Sequence, residues 1–188
     1  MNQYTWRDLL AMPDDGVERW IVDGELKEMQ PPLEGEARFR GRLESRALVL
    51  VGAELETWAR GRPGPRGQVV ADAGVILAAR PETVVGIDLA YFPPEVIARQ
   101  TAEIPLFVGI PLLAVMIPSP MDTMGRIAEK RHLCRAAGVP LIWSVEPLGQ
   151  EVAIYTHGAR PRMVTAGDEL ACEPHLPGFR VPVARLFE

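Results

Sequence analysis

From Pro111 to Ile117 the chain reads Pro-Leu-Leu-Ala-Val-Met-Ile with no polar residue, and nothing else in the sequence narrows the fold as much. The run has the length of a strand and no alternation, the pattern of a strand buried on both faces. Such a strand belongs in the middle of a sheet with helices on either side. Ser119-Pro120-Met121-Asp122 follows at once. Ser119 can cap a helix, with Pro120 at its first position and Asp122 three residues after the cap, so strand passes almost directly into helix. Gly138 then ends that helix after about five turns.

The flanking segments agree with an α/β fold. Thr5 and Asp8 make a plausible helix start that Pro13-Asp14-Asp15-Gly16 stops. Arg19–Val22 and Glu25–Met29 enclose Asp23-Gly24, the dipeptide best suited to a two-residue hairpin turn. From Glu36 to Ala59 the apolar residues Phe39, Leu43, Ala47, Leu50, Val51, Leu55 and Trp58 recur by threes and fours, which predicts a helix; Leu48 and Val49 suggest that its middle is buried on more than one side. Arg60–Gly67 breaks the pattern with two prolines and three glycines, leaving a loop that carries Arg60, Arg62 and Arg66. Gln68–Ala78 and Val84–Phe92 read as strands around the turn Arg80-Pro81-Glu82-Thr83, and Pro140–Glu146 with Gln150–Thr156 as a hairpin around Pro147-Leu148-Gly149. The order of elements predicts a mixed β-sheet flanked by helices, with an N-terminal β-hairpin.

Composition limits the classes of function. The 188 residues, 47% hydrophobic and 24% charged, suit one domain over 1–188. Lys+Arg number 20 against 25 Asp+Glu, so no bulk positive field gathers DNA or an anionic membrane; nucleic-acid contact needs a local patch. Cys134 and Cys172 fit neither a metal-binding pair nor a disulfide framework and read as reduced core thiols. No basic and apolar leader opens the chain and no apolar run approaches membrane-spanning length, so a cytoplasmic protein without membrane contact is expected. His132, His157 and His175 show no metal-ligand spacing. Phosphate-cradling, dinucleotide-binding and nucleophile-elbow motifs are missing, which removes the usual support for a nucleotide cofactor or a hydrolase triad.

Two polar residues stand out. Asp88 interrupts the strand Val84–Tyr91, where an aspartate needs either solvent or a partner. Lys130 lies on the helix fed by the central strand, within Glu129-Lys130-Arg131, a run that by itself reads as a solvated face.

Taken together, several segments resemble one family. They are Thr5-Trp6-Arg7-Asp8-Leu9-Leu10-Ala11-Met12-Pro13, Val22-Asp23-Gly24-Glu25-Leu26, Ile87-Asp88-Leu89-Ala90, Ser119-Pro120, Glu129-Lys130, Ala136-Ala137-Gly138-Val139-Pro140 with Trp143, and Leu176-Pro177-Gly178-Phe179 through Leu186-Phe187. Their order and spacing are similar to the Uma family of restriction endonucleases, in the PD-(D/E)XK nuclease superfamily. The resemblance implies a restriction endonuclease-like core and Mg²⁺- or Mn²⁺-dependent hydrolysis of DNA phosphodiesters. Asp88 would be a metal ligand and Lys130 would orient water or stabilise charge. Divalent magnesium takes hard oxygen ligands and, once bound, makes hydroxide available near neutral pH.

The departures from the family pattern are as specific. Met116 stands where the second metal-binding carboxylate belongs, and a neutral thioether is a poor Mg²⁺ ligand. Trp20 replaces a glutamate, Glu36 a histidine, and Arg126 an acidic residue on the lysine-bearing helix. Arg126 and Lys130 are like charges one turn apart, which suits an anion pocket or a solvated face better than a metal site. Asp72, Glu36 or Asp122 are the carboxylates available to compensate. Two readings follow. One is a metal-dependent endonuclease with a substitute ligand; the other is a non-catalytic relative that keeps the fold to bind nucleic acid or protein, with no cofactor. A homodimer is expected, with Phe179 and Phe187 available either for its interface or for the core.

Overall fold

In a computed structural model, residues 3–29, 40–119 and 122–188 are described. Their sheet is organised around the strand β4 (Glu82–Phe92), which forms a long antiparallel hairpin with β3 (Gln68–Ala79). The other edge of β4 is shared between two strands. β1 (Arg19–Val22) meets it at Val84, and β6 (Leu113–Met116) runs beside Leu89–Tyr91. A gap therefore opens beside Gly86–Asp88, where one neighbour has left and the other has not yet arrived.

β1 pairs outward with β2 (Glu25–Glu28). Asp23 and Gly24 join them with φ of 51° and 78°, the two positive values a tight hairpin turn requires. Beyond β6 come β7 (Leu141–Glu146), parallel to it, then β8 (Glu151–Thr156) and β9 (Arg162–Thr165), both antiparallel; β5 (Phe107–Val108) lies beside β3. Every residue of β6 is buried, as the unbroken apolar run predicts. A separate two-stranded ribbon, β10 (Glu169–Ala171) with β11 (Arg180–Pro182), closes the C-terminal side and leads into a 3₁₀ turn at Val183–Leu186.

Helices cover both faces. α2 (Arg42–Arg60) lays Ala47, Val51, Leu55 and Ala59 on a core with Leu89, Tyr91, Val115 and Trp143. α4 (Met124–Ala136) buries Cys134 on the opposite core, with Trp20, Val85, Ile87 and Met116. Two shorter helices, α1 (Trp6–Leu10) and α3 (Pro94–Ile97), lie at the periphery. Asp8 takes up the N–H and hydroxyl of Thr5 at 2.8 and 2.7 Å, in keeping with the expected start of α1.

In β4, side chains should alternate between faces, yet Val85 and Ile87 join one core while Leu89 and Tyr91 join the other. β3 makes the same change: Ala73 and Val75 lie on the first side, Val69 on the second. The inversion occurs at Asp72, whose φ is 47°, a left-handed conformation that Asp tolerates better than most residues. Asp72 and Asp88 face each other across the ladder at this level without completing a regular pair.

Three sequence expectations need correction. The helix after β6 begins at Met124, not beside Ser119. Thr123 is its cap, accepting the Arg126 N–H at 3.2 Å, while Asp122 accepts from the N–H and hydroxyl of Ser119. The helix consequently has 13 residues, nearer three and a half turns than five. α2 buries one face only, since Val49 is 61% exposed; residues 36–39, where its start was expected, lie outside the described residues. Glu82 already pairs with Ala79, so Arg80 and Pro81 alone make the β3–β4 turn. Of the two places open to Phe179 and Phe187, the core is the one that they take: Phe179 is buried in it and Phe187 packs against it.

Both cysteines are free and buried. Burial pushes the Cys134 thiol up to about 12 and raises that of Cys172 as well. At pH 8 neither should react with a thiol-specific reagent until the chain unfolds, whereupon two equivalents should react; prompt labelling of the folded protein would contradict this placement.

Candidate functional site

The gap beside β4 opens into a cleft of about 240 Å³. Glu18, Asp72, Asp88 and Asp122 bring carboxylates to it; Arg40, Arg126 and Lys130 bring cations; and Met116 forms part of the wall. Sequence-expected Asp88, Lys130, Met116, Arg126, Asp72 and Asp122 thus share one cleft. Trp20 lies beneath it, and Glu36 lies outside the described residues.

Asp88 is held on both oxygens. Oδ1 accepts from Nη2 of Arg40 at 2.5 Å, and Oδ2 accepts from the Ile117 N–H at 2.7 Å. Arg40 also donates through Nη1 to the Ile117 carbonyl at 2.8 Å. The β4–β6 register pairs Leu89 with Val115 and Ala90 with Ala114, which sets Met116 at the level of Asp88. The nearest strand position therefore presents the thioether of Met116, a residue only 5% exposed, where a divalent ion would need oxygen.

A second cluster surrounds Arg126, which is only 8% exposed. Its guanidinium pairs with Glu18, lies 3.3 Å from Asp122 Oδ1, contacts the Met29 sulfur, and sits 5.4 Å from the centre of the Trp20 ring. Two of the substituted family positions, Trp20 and Arg126, therefore pack on each other as a cation over an aromatic face. Lys130 reaches the same Glu18 at 3.2 Å. Burial pushes the Glu18 carboxyl up, but the charges and hydrogen bonds of Lys130 and Arg126 outweigh it and hold the group below its ordinary value.

These residues do not fit a divalent metal. Among the described residues no three acidic, histidine or cysteine side chains gather as an ion-holding group. Both oxygens of the carboxylate expected to bind metal already accept a hydrogen bond, one from a guanidinium and one from a peptide N–H.

Sequence reasoning missed Arg40 and Glu18. Arg40 precedes α2 and meets a residue 48 positions away; nothing in its neighbourhood distinguishes it from Arg42. Glu18 precedes β1 and reads as one more surface acid. The arginine loop lies elsewhere: Arg60 pairs with Glu56, and Arg62 stacks on Trp58 and donates to the Pro177 carbonyl at 3.2 Å, beside a different hollow with Tyr91 and His175.

Among the described residues, no helix is long and apolar enough to cross a membrane. The chain is similar in structure to a "putative nuclease" from Anabaena variabilis, with a TM-score of 0.75 and 12% identity over 98% of this chain and 97% of that one. At that identity the likeness speaks for the fold, a mixed α/β nuclease-like architecture. No curated protein matches the chain. Residues 6–184 match the model of the Uma2 family, described as "putative restriction endonuclease", and with nearly the whole chain covered the protein belongs to that family.

Proposed function

We propose that this chain is a non-hydrolysing member of its family that binds the DNA backbone. The observation that carries this reading is the engagement of both Asp88 oxygens by Arg40 and the Ile117 N–H, beside a methionine. The cleft's positive side chains are likewise paired with its acids, so they neutralise the site instead of assembling a metal-and-water centre.

Phosphate binding finds better support on the outer side of α4. Arg131, His132 and Arg135 share a helical face there with His157, at the end of β8, around a shallow groove of about 490 Å³ with no acidic residue in its lining. The helix C-terminus favours a cation such as Arg135, but that does not account for a second arginine one turn earlier or for a histidine from another element. Arg131 rests on Tyr155, 4.6 Å from the ring centre and donating to its hydroxyl at 3.2 Å, and among the described residues neither it nor Arg135 has an acidic partner; the two make a local positive patch on a chain of net charge −5, the kind of patch that phosphate contact requires.

Two measurements test the proposal. Supercoiled plasmid with millimolar Mg²⁺ or Mn²⁺ should show no nicking above the buffer control. A labelled duplex should bind at low salt, and Arg131→Ala with Arg135→Ala should lower the salt slope by about two. No binding at low salt would defeat the DNA reading. Metal-dependent nicking lost in Asp88→Asn would restore the enzyme reading, which draws on the presence of Asp72, Asp88 and Lys130 in one cleft.

A further inference from the structure

The guanidinium of Arg40 bridges one carboxylate oxygen and the backbone carbonyl of Ile117, at 2.5 and 2.8 Å, while the N–H of that same residue donates to the other carboxylate oxygen. A closed ring results, with two hard oxygens aimed at one cation. Opposite Asp88 stands Asp72, which takes part in none of the cleft's ion pairs among the described residues. Like charges directly across a strand pair are unfavourable unless something balances them. Arg40 supplies that balance, and its planar fork suits a pair of oxygens.

A divalent ion in the cleft would seek the same ligands, the Asp88 carboxylate and the Ile117 carbonyl, and would have to shed tightly held water to take them. Arg40 is covalently tethered, permanently charged and already in place. We infer that Arg40 is the resident cation of this site, occupying the oxygens a metal would use, so that its removal should turn a metal-blind cleft into a metal-binding one. The inference rests on the reading that the wild-type cleft works without metal.

The test is Mn²⁺ binding, followed by electron paramagnetic resonance of the free ion, on the full-length wild type, Arg40→Met, Arg40→Gln and Arg40→Lys. Wild type and Arg40→Lys, which keeps the charge, should bind weakly or not at all. Arg40→Met and Arg40→Gln should each gain one site at least about tenfold tighter than any in wild type, because an anionic centre has lost its counter-charge. Adding Asp88→Asn should abolish that site. Folded Arg40→Met and Arg40→Gln that bind no more Mn²⁺ than wild type would overturn the inference. If both variants lose their fold, Asp88→Asn should restore it by removing the uncompensated charge; failure to restore it overturns the inference equally. Mg²⁺-dependent nicking by the wild type, in contrast, defeats the non-hydrolysing reading irrespective of how the Arg40 variants behave.

Discussion

Asp88→Ala is expected to destabilise the folded protein by about 3 kcal/mol, and the sign of the change is the informative part. The substitution strands the Arg40 guanidinium, whose side chain is 23% exposed, and leaves the Ile117 N–H without its acceptor. Losing the acceptor of a buried donor costs about 1–3 kcal/mol, and an uncompensated guanidinium adds to that, though partial exposure keeps the total below that of a fully buried pair. A divalent-metal site stripped of its metal behaves in the opposite way. Its converging carboxylates repel one another, so deleting one should make the metal-free protein more stable. Urea unfolding of wild type and Asp88→Ala in a chelating buffer separates the two arrangements. A rise in stability would show that Asp88 is not satisfied by Arg40 and would remove the basis for reading the cleft as metal-free.

Trp143→Ala should cost about 3–5 kcal/mol. Trp143 is fully buried on β7, flanked in register by Val115 of β6 and Ile154 of β8. Its ring lies 5.5 Å from that of Phe179, which in turn meets Trp58 of α2 at 6.2 Å. The indole therefore joins the central sheet to the C-terminal layer that carries β10 and β11. Removing it leaves a cavity that strands on both sides cannot close. The urea midpoint should fall with little change in the slope of the transition. A loss under about 1 kcal/mol would mean that the C-terminal layer is not anchored through this ring.

Much of the architecture was legible because local chemistry and tertiary structure agree. Asp23-Gly24 makes its turn through backbone freedom alone, Pro111–Ile117 could satisfy its composition only in the middle of a sheet, and Gly138, at φ 92°, ends α4 where expected. The start of α4 was not legible. Ser119 and Thr123 are both competent caps, and the choice turns on Asp122, whose Oδ2 accepts from Ser119 while its Oδ1 meets Arg126 on the helix that Thr123 caps. Val49 reads as core by residue type but lies on the side of α2 that meets solvent. For the cleft, Asp88 and Lys130 stand out as polar residues on a strand and a helix, and a family pattern, which marks positions that carry polar groups, ties them to the substituted Met116, Trp20 and Arg126. Arg40 was invisible to that approach, since its importance comes from a contact between distant parts of the chain.

The inverted alternation of the β3–β4 hairpin has a consequence for how such a protein can change. Because Asp72 and Asp88 sit on the seam where both strands swap sides, they belong to neither hydrophobic layer, so the cost of replacing Asp88 falls on its polar partners, Arg40 and the Ile117 N–H, and not on the packing of either layer. Polar groups at the seam can thereby be traded in descendants without remodelling the hydrophobic layers, provided that the Arg40 guanidinium and the Ile117 N–H keep a partner.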